Sequence, residues 1–589
     1  MLKRLAACFS AMMLVLAGAA LSFSQNLNLI EDPGFEKGSV KGWSPVDSCR
    51  IESYKTAGHQ GRRSLVFRPL KEGAGIRYDG SRLIRPGFAY TFTAWFRNAE
   101  AGWGQADAIL RYNQNGQPRE VFIGRADCDK QAWKELTGPF VVPGDADPSS
   151  LGLVLKTGWG QNAFLVDDVV LRPALQVGVS RRPGRDAPDL VFQVGPENPL
   201  RKGLLARMEV TDGGGRTVES SELPLDKPVR LSLSPGFYRV TGRLSDLDGR
   251  TFEAEKTVFS GSLKVLEKDL EERAETVIED PTLDDYRGWI LYLRFRASLY
   301  RDREGGESDR ALQASLRLDR WTSTVRENPK ALDTLSGVRE WAYSSRADDT
   351  GQPFKIAIPT DYDSRKSYPL VVVMHGYGGN HMEYSGGVAS NPDYFEIHVL
   401  GRARGGGYTS LSEADVLDAV DYVRAHWSID DRRIHLTGSS MGGGGTFKLA
   451  SRYPDRWASG RPACGYGPDQ PILNALHVPL YATHSQDDPT VPVLASRAPL
   501  RKLLNAGGRV VMDETNGLQH AAWNYAEGNR RGQEWFISQV RPDFRSVRRI
   551  NYTAVDRKAS RAYWLGITEW GGQPGPARFR AEAGKENEL

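Results

Sequence analysis

The chain is poor in cysteine, nearly balanced in charge and, past its first two dozen residues, without long apolar runs. Four cysteines in 589 residues give only weak support for a disulfide-bonded protein, and no Cys/His spacing predicts a zinc site. A net charge of +4 without a basic tract argues against nucleic acid as a partner. No later apolar run approaches the roughly 18 residues of a membrane-spanning helix.

Residues 1–24 are typical of an export signal that is removed. Lys3 and Arg4 supply a positive start, and the apolar stretch 11–20 is too short to span a bilayer comfortably. Small residues precede a cleavage point after Ser24. We therefore expect a secreted protein, extracellular or periplasmic, with no integral membrane segment after cleavage. The alternative is a retained membrane anchor.

Three cysteines would remain after that cleavage. Cys49 and Cys128 fall in the same predicted domain and could form a disulfide. Cys464 would be left over, and we expect it to be buried.

The length and composition predict several globular domains. At about 100–200 residues per domain, about three to five are expected, and 40% apolar with 25% charged residues is ordinary globular composition. Residues 26–173 alternate apolar and polar positions in short runs, which predicts a β-sandwich. Residues 175–262 repeat that pattern and favour an immunoglobulin-like sandwich. Residues 264–343 change to helical spacing and predict a helical spacer packed against the next domain.

The carboxy-terminal half alternates strands and helices. Residues 350–543 predict a parallel α/β sheet, and the continuous apolar run 368–376 is typical of a buried parallel strand. The tail 547–589 is strand-like but too short for an independent sandwich. It either packs onto the preceding domain or begins a further β-domain.

Part of the first sandwich resembles a known module. Asp-Pro-Gly-Phe-Glu at 32–36, Gly-Trp at 42–43, Trp133 and Val-Asp-Asp-Val at 166–169 are similar to a jelly-roll carbohydrate-binding module. The resemblance covers the whole of residues 26–173.

That resemblance implies a structural calcium and a sugar-binding surface. Modules of this kind hold calcium with acidic residues near both termini, and by resemblance Glu36 and Asp168 would be the ligands here. Sugars pack their CH groups on exposed aromatic rings. The candidate rings are Trp43, Trp103, Tyr112, Trp133 and Trp159. Alternatively, most of these rings belong to the core and the module is a spacer.

Residues 433–442 predict a nucleophile. A short apolar strand runs into Gly-x-Ser-x-Gly, with Ser440 at the centre, and a helix follows. Such a turn exposes the serine hydroxyl and directs the next N–H, that of Met441, toward the same space. Ser439 is the competing serine, but it is not at the centre of the turn.

A second glycine-rich turn can supply the other donor of an oxyanion hole. His-Gly-Tyr-Gly-Gly at 375–379 leaves the predicted strand at 368–376, and the Tyr377 N–H is the expected donor. The turn lacks the Gly-Lys-Ser/Thr ending of a phosphate-binding loop.

Together these motifs resemble one branch of the α/β-hydrolases. The segments at 375–379, 413–416, 429–434 and 438–445 are similar to secreted bacterial esterases related to feruloyl and acetylxylan esterases and to polyhydroxybutyrate depolymerases. These proteins are often described as prolyl-oligopeptidase-like. The resemblance covers about residues 350–543. It implies an α/β-hydrolase fold and acyl transfer without a cofactor for catalysis.

The acid and base follow Ser440 in the order expected of this fold. Asp487 and Asp488 lie in a loop after the apolar strand 478–484, where an open α/β sheet presents catalytic groups. Asp488 is preferred because it stands three residues before Val491, as in the family's Asp-x-x-Val-Pro pattern, and Asp487 remains the alternative.

His520 is the best placed of the nine histidines to act as the base. It follows the predicted strand 509–512, in a loop of the same sheet. His375 precedes the nucleophile. His484 lies before the acid, where this family often has His-Gly, and here Ser485 replaces that Gly.

The sequence therefore predicts a secreted serine esterase with two amino-terminal β-sandwiches, a helical spacer and a carboxy-terminal α/β-hydrolase domain. Its partners would be a polysaccharide or ester substrate. One alternative is a serine peptidase of the prolyl-oligopeptidase type, although the chain lacks the 40–50-residue repeat of a β-propeller. The other is a non-catalytic glycan-binding protein.

Overall fold

The computed structural model describes residues 28–584 apart from short gaps. The gaps are residue 39, 56–57, 72, 100–103, 129, 160–162, 182–187, 194–204, 246–250, 307, 383–390, 403–404, 469–470 and 571–574. The predicted export signal at 1–24 lies outside the described residues. Among the helices that are described, none has the length and apolarity needed to cross a membrane. The chain divides into two compact units, residues 1–269 with 299–316 and residues 270–298 with 317–589.

The first unit begins with a two-layer β-sandwich, which confirms that prediction. Its strands are β1 (Trp43–Val46), β2 (Cys49–Tyr54), β3 (Ser64–Pro69), β4 (Gly75–Asp79), β5 (Ala89–Asn98), β6 (Gly104–Gln114), β7 (Gln117–Cys128), β8 (Lys134–Val141), β9 (Gly152–Trp159) and β10 (Phe164–Pro173). One sheet has the order β1-β4-β9-β6-β7 and the other β2-β3-β10-β5-β8. Inward-facing side chains such as Phe67, Phe92 and Leu155 form one buried core.

The disulfide that the sequence allows between Cys49 and Cys128 is absent, so that prediction is wrong. Cys49 and Cys128 are both buried, but they are not disulfide-bonded. Each thiol instead lies against a carbonyl oxygen of its own strand, Cys49 at 3.4 Å from that of Arg50 and Cys128 at 3.5 Å from that of Ala126. Cys464 is buried, as expected.

A second pair of small sheets completes the β-rich part of this unit. The strands are β11 (Gln176–Ser180), β12 (Asp189–Gln193), β13 (Leu205–Asp212), β14 (Thr217–Pro224), β15 (Pro228–Arg230), β16 (Gly236–Ser245) and β17 (Thr251–Ser260). The orders are β11-β12-β15 and β14-β13-β16-β17. Leu190, Phe192, Met208 and Val240 are among the residues of their shared core, so the predicted second sandwich has the two sheets that it requires.

Three helices follow where the sequence predicts helical structure. They are α1 (Leu263–Glu279), α2 (Asp284–Glu304) and α3 (Asp309–Glu327). Residues 270–298 and 317–327 of this segment belong to the second unit. There the Trp289 ring stacks on the Trp341 ring at 4.9 Å between centroids, and the Trp321 ring meets Trp341 edge-on at 5.0 Å.

The second unit is built on an eight-stranded sheet. Its strands are β18 (Val338–Ser344), β19 (Gly351–Ala357), β20 (Tyr368–Met374), β21 (Phe395–Val399), β22 (Ile429–Ser439), β23 (Ser459–Ala463), β24 (Leu480–Ser485) and β25 (Val510–Thr515). The order is β18-β19-β21-β20-β22-β23-β24-β25. β18 and β19 are antiparallel, and the strands from β21 to β25 pair in parallel. This confirms the predicted parallel α/β sheet.

Helices connect the parallel strands and bring their carboxyl ends to one edge. They are α4 (Leu411–His426), α5 (Met441–Arg452), α6 (Leu494–Asn505) and α7 (Ala526–Ile537). β20 is buried along its whole length, as its unbroken apolar sequence predicts, since helices cover both faces of such a sheet.

The tail packs onto this unit, as the first of the two alternatives expects. Its strands are β26 (Arg549–Ala554), β27 (Arg561–Ala562), β28 (Leu565–Gly566) and β29 (Ala577–Glu582). The Tyr552 hydroxyl donates to the Arg452 carbonyl at 2.6 Å, and Asp556 pairs with the Arg452 guanidinium at 2.8 Å. The tail is therefore tied to the end of α5.

Candidate active site

Ser440 occupies a strained turn between β22 and α5. Its φ of 54° and ψ of −115° are unfavourable for a residue with a side chain, and its N–H donates to the Ala463 carbonyl at 2.8 Å. A Cβ on Gly442 would come within 2.0 Å of the Met374 carbonyl oxygen. The glycine is needed because helix α5 starts directly against strand β20.

The structure brings the three predicted catalytic side chains together. The Ser440 hydroxyl lies 2.8 Å from Nε2 of His520, and Nδ1 of His520 lies 2.7 Å from Oδ2 of Asp488. Asp488 and His520 are both buried. With Nδ1–H donating to the carboxylate, Nε2 is left to accept the serine proton.

The two neighbouring aspartates have different partners. Oδ1 of Asp488 accepts the N–H groups of Thr490 and Val491, each at 2.9 Å, which leaves Oδ2 for the imidazole. Asp487 instead accepts the N–H groups of Gly517 and Gln519 at 3.1 and 3.2 Å. Asp487 thus braces the loop that carries His520, and Asp488 meets the ring.

Hydrogen bonding keeps Asp488 ionised. Burial raises the pKa of its carboxyl, but hydrogen bonds from His484, from His520 and from the Val491 N–H outweigh that effect and bring the pKa well below its usual range. Burial and the nearby Asp488 charge raise the pKa of the Cys464 thiol to about 12. The thiol beside the triad therefore stays protonated and is a poor nucleophile.

Cys464, Asp488 and His520 place three metal-type ligand atoms within 4.8 Å of one another. Within the described part of the chain this is the single such group. Asp488 and His520 already bind each other in it, so the arrangement is that of a catalytic pair with a thiol beside it.

The predicted oxyanion donors flank Ser440. A Cβ on Gly376 would lie 3.6 Å from Cβ of Ser440, so the turn that carries Tyr377 runs past the nucleophile. Met441 is the first residue of α5, and first-turn N–H groups have no acceptor within their own helix. The His375 ring holds the glycine-rich turn through the Leu400 carbonyl at 2.8 Å.

Exposed aromatic side chains border the nucleophile, a feature that the sequence reasoning missed. Tyr377 is 70% exposed and Tyr466 is 39% exposed. A Cβ on Gly444, in the first turn of α5, would come within 2.6 Å of the Tyr466 ring. The Trp523 ring meets the His520 ring edge-on at 5.6 Å. The only available sequence signal was an aromatic residue in each flanking loop.

The prediction of an exposed sugar-binding ring is wrong for two of the five candidates. Trp43 and Tyr112 are buried in the core of the sandwich, where Trp43 packs against Tyr78 at 5.1 Å between centroids. Their faces are covered because the strands turn these positions inward. Trp103 lies outside the described residues, as does the side chain of Trp159.

Trp133 lies half-buried on the outer face of the sheet that contains β5. The Arg97 guanidinium lies over its ring at 5.0 Å, and the His59 ring meets it edge-on at 5.9 Å. His59 also stacks on Trp95 at 3.9 Å. Trp95, which the sequence reasoning did not select, alternates with core residues along β5 and so shares the outer face.

Glu36 and Asp168 lie close together, with Asp167 between them. A Cβ on Gly34 would lie 3.6 Å from Oδ1 of Asp168, 3.7 Å from Oδ1 of Asp167 and 3.8 Å from Cγ of Glu36. Asp167 is fully buried, and burial raises its pKa to about 6, with the charges of Asp168 and Glu36 adding to the rise.

Most oxygens of this acidic cluster already accept hydrogen bonds from within the sandwich. Glu36 already accepts the N–H groups of Arg62 and Arg63 through Oε1, and Asp168 accepts from the His59 ring through Oδ2. Oε2 of Glu36 and Oδ1 of Asp168 are the oxygens left over. Clustered carboxylate oxygens are the ligands that Ca²⁺ prefers.

Comparison with known proteins assigns the amino-terminal segment. Residues 27–162 match the family profile described as "Carbohydrate binding domain". Endo-1,4-beta-xylanase A of Thermotoga maritima is 24% identical over 188 residues, which are 29% of this chain and 17% of the relative. The match thus spans about a sixth of the length of that curated relative.

Solved structures similar to the chain include esterases. A thermostable esterase shares 14% identity, with a TM-score of 0.31, and the match covers 80% of this chain and 97% of that one. A mutant feruloyl esterase module from Clostridium thermocellum, complexed with sinapinate, shares 16% identity with a TM-score of 0.29 over 35% of this chain and 89% of that one. The chain therefore carries a segment like a carbohydrate-binding domain, and esterases are among its structural neighbours.

Proposed function

We propose that the protein is a secreted serine carboxylic-ester hydrolase that removes acyl or feruloyl groups from a polysaccharide. One observation carries the proposal, the continuous hydrogen-bond chain from Asp488 through His520 to Ser440. Its nucleophile sits on a strained turn at the carboxyl edge of a parallel sheet, which exposes the hydroxyl for acyl transfer.

The proposed reaction is a two-step acyl transfer. His520 takes the Ser440 proton on Nε2 as Oγ attacks the ester carbonyl carbon, and the carbonyl oxygen becomes an oxyanion near the N–H groups of Tyr377 and Met441. As the bond to the leaving oxygen breaks, His520 returns the proton to that oxygen and the alcohol departs. Water, deprotonated by His520, then attacks the acyl-enzyme and releases the acid and free Ser440. Asp488 stabilises the imidazolium in both steps.

The aromatic border supports substrates with a ring next to the ester. Tyr377 and Tyr466 are partly exposed and belong to the two loops that flank the Ser440 turn, and aromatic rings pack well on a pyranose or on an aromatic acyl group. A substrate with a ring on each side of the ester bond would contact both tyrosines.

The amino-terminal domain supports a polysaccharide as the carrier of that ester. A curated relative that matches this region is a xylanase, and we propose xylan as the glycan. A domain that binds xylan would hold the enzyme near its substrate and raise the local ester concentration.

A substrate panel tests the function. The purified protein should hydrolyse p-nitrophenyl acetate, methyl ferulate and acetylated xylan, and should leave prolyl amides intact. Ser440→Ala should lower kcat by about 10⁵-fold or more while the thermal unfolding midpoint stays within a few degrees. Residual wild-type rates in that variant would remove Ser440 from the mechanism, and amide cleavage above ester cleavage would indicate a peptidase.

We also propose that the cluster of Glu36, Asp167 and Asp168 holds a structural calcium. The ion would neutralise three neighbouring carboxylates and tie the amino-terminal segment to β10. Adding calcium to chelator-treated protein should raise the unfolding midpoint of the sandwich, while Glu36→Gln should reduce that gain. An unchanged midpoint would contradict the proposal.

A further inference from the structure

His484 is a fully buried histidine that touches the catalytic acid. It lies near the end of β24, and its Nε2 is 3.2 Å from Oδ2 of Asp488 and 2.9 Å from the Val491 carbonyl oxygen. Its Nδ1 is 2.9 Å from the Ser496 hydroxyl oxygen on α6. None of the acyl-transfer steps described above uses this side chain.

The partners of His484 show which of its ring nitrogens faces Asp488 with a proton. A carboxylate and a carbonyl can only accept, so Nε2 must carry a proton. The Ser496 hydroxyl donates its one proton to the Gly465 carbonyl at 2.8 Å, and its oxygen can then accept from Nδ1–H. Whichever way the serine hydroxyl turns, it is the Nε2–H of His484 that faces Asp488.

Two imidazoles therefore share Oδ2 of Asp488. His520 donates at 2.7 Å and His484 at 3.2 Å, while the backbone N–H groups of Thr490 and Val491 occupy Oδ1. A carboxylate with four donors is fixed in orientation. Its negative charge is also divided between the base and a second ring.

We propose that His484 is a positioning residue that acts on Asp488 and thereby sets the pH at which His520 can serve as the base. The inference rests on the proposed function of the triad. Because Asp488 stabilises the protonated form of His520, any donor that competes for Oδ2 weakens that stabilisation. His520 then stays neutral, and able to accept the serine proton, to a lower pH.

The other charged groups around His484 are already engaged. Glu514, its register partner on β25, pairs with Arg497 on α6 at 2.6 Å. Asp487 accepts the N–H groups of Gly517 and Gln519.

The protonated thiol of Cys464 and the His520 ring are the remaining titratable groups near Asp488. None of these groups replaces the N–H that His484 gives to Oδ2.

The test is the pH profile of kcat/KM for p-nitrophenyl acetate, read at the isosbestic wavelength of nitrophenol. His484→Phe keeps a ring but removes both N–H groups. Its acidic limb should move up by about one pH unit, with KM unchanged because the ring does not reach the substrate. His484→Gln keeps one neutral donor near the Nε2 position and should move the limb by less.

His435→Gln is the matched control. His435 is also a fully buried histidine on a strand of the same sheet, and its Nδ1 bonds a serine, Ser459, at 2.8 Å. It packs against Phe536 at 5.0 Å. Loss of a buried imidazole should lower stability in both positions, whereas the acidic limb should move only for His484.

If His484→Phe does not fold, Ser496→Ala provides a second variant. It removes the hydroxyl that holds Nδ1 and so orients the ring, and it should move the limb in the same direction by less. An acidic limb that stays in place in the folded His484 variants, or moves to lower pH, would overturn the inference. Ester hydrolysis that persists in Ser440→Ala would instead overturn the proposed function, so the two failures are distinguishable.

Discussion

The α/β sheet and the amino-terminal sandwich differ in how well their residue types identify functional side chains. In the sheet, Ser440, Asp488 and His520 are 80 residues or fewer apart in the chain and form one hydrogen-bonded series. In the sandwich, Trp43 and Tyr112 were candidates for sugar binding and are core residues. Catalytic groups are placed by strand ends, whereas exposure of a ring depends on which face its strand presents.

The largest expected effect concerns the two neighbouring aspartates that follow β24 in the α/β sheet. Asp488→Asn should lower kcat for p-nitrophenyl acetate by about 10⁴-fold, because the amide cannot hold the required tautomer of His520. Asp487→Asn should cost about tenfold, since the amide oxygen still accepts one of the N–H groups of Gly517 and Gln519. Steady-state kinetics on both purified variants provides the measurement. The reverse ranking would reassign the acid and weaken the claim that strand ends place catalytic groups.

The next effect separates a core ring from a surface ring in the sandwich. Trp43→Ala should destabilise the sandwich by about 3–5 kcal/mol because it leaves a cavity beside Phe35 and Tyr78. Trp95→Ala should cost about 1 kcal/mol or less, since it mainly loses the stacked His59 ring. Chemical denaturation measures both.

If the proposed xylan binding uses the outer face of β5, retention on insoluble xylan should show the opposite order, with Trp95→Ala weakening it more than Trp43→Ala in folded protein. If only the core variant lost retention, the outer face of β5 would not be the binding surface.

The last prediction concerns how the stability of the calcium-free sandwich changes with pH. Burial raises the pKa of Asp167 to about 6 from 3.8, so the folded sandwich binds a proton that the unfolded chain has already released. The stabilisation is complete below about pH 4 and is lost as the pH rises through about 6, by about 3 kcal/mol. Calorimetry across this range in chelator should show the unfolding midpoint falling.

Calcium bound at the proposed site would favour the ionised form of Asp167 and should restore the midpoint at pH 7. A midpoint that rose with pH in chelator would contradict the assignment of Asp167 as a buried acid in the folded sandwich.

Much of the fold follows from patterns of apolar residues. The short alternating runs predict the sandwich, and the unbroken run that begins at Tyr368 predicts β20, because a parallel strand is covered on both faces. Glycines beside Ser440 predict the turn because a Cβ there would meet the backbone of Met374.

The patterns were less informative about side-chain partners. Cys49 and Cys128 share a domain but end up in different sheets. His484 lies four residues before the acid in the sequence, yet its contact with Oδ2 of Asp488 depends on how β24 and α6 pack. Tyr466 beside Ser440 depends in the same way on the loop after β23 folding back onto α5.

The sequence by itself determined the order of nucleophile, acid and base and the alternation of strands and helices, because these are properties of neighbouring residues and of chain order. Only the tertiary structure decided which aspartate meets His520 in space, which tryptophans are covered and that a second imidazole shares Asp488. Those outcomes depend on contacts between segments far apart in the chain, and a shift of one residue in a strand would have reversed them.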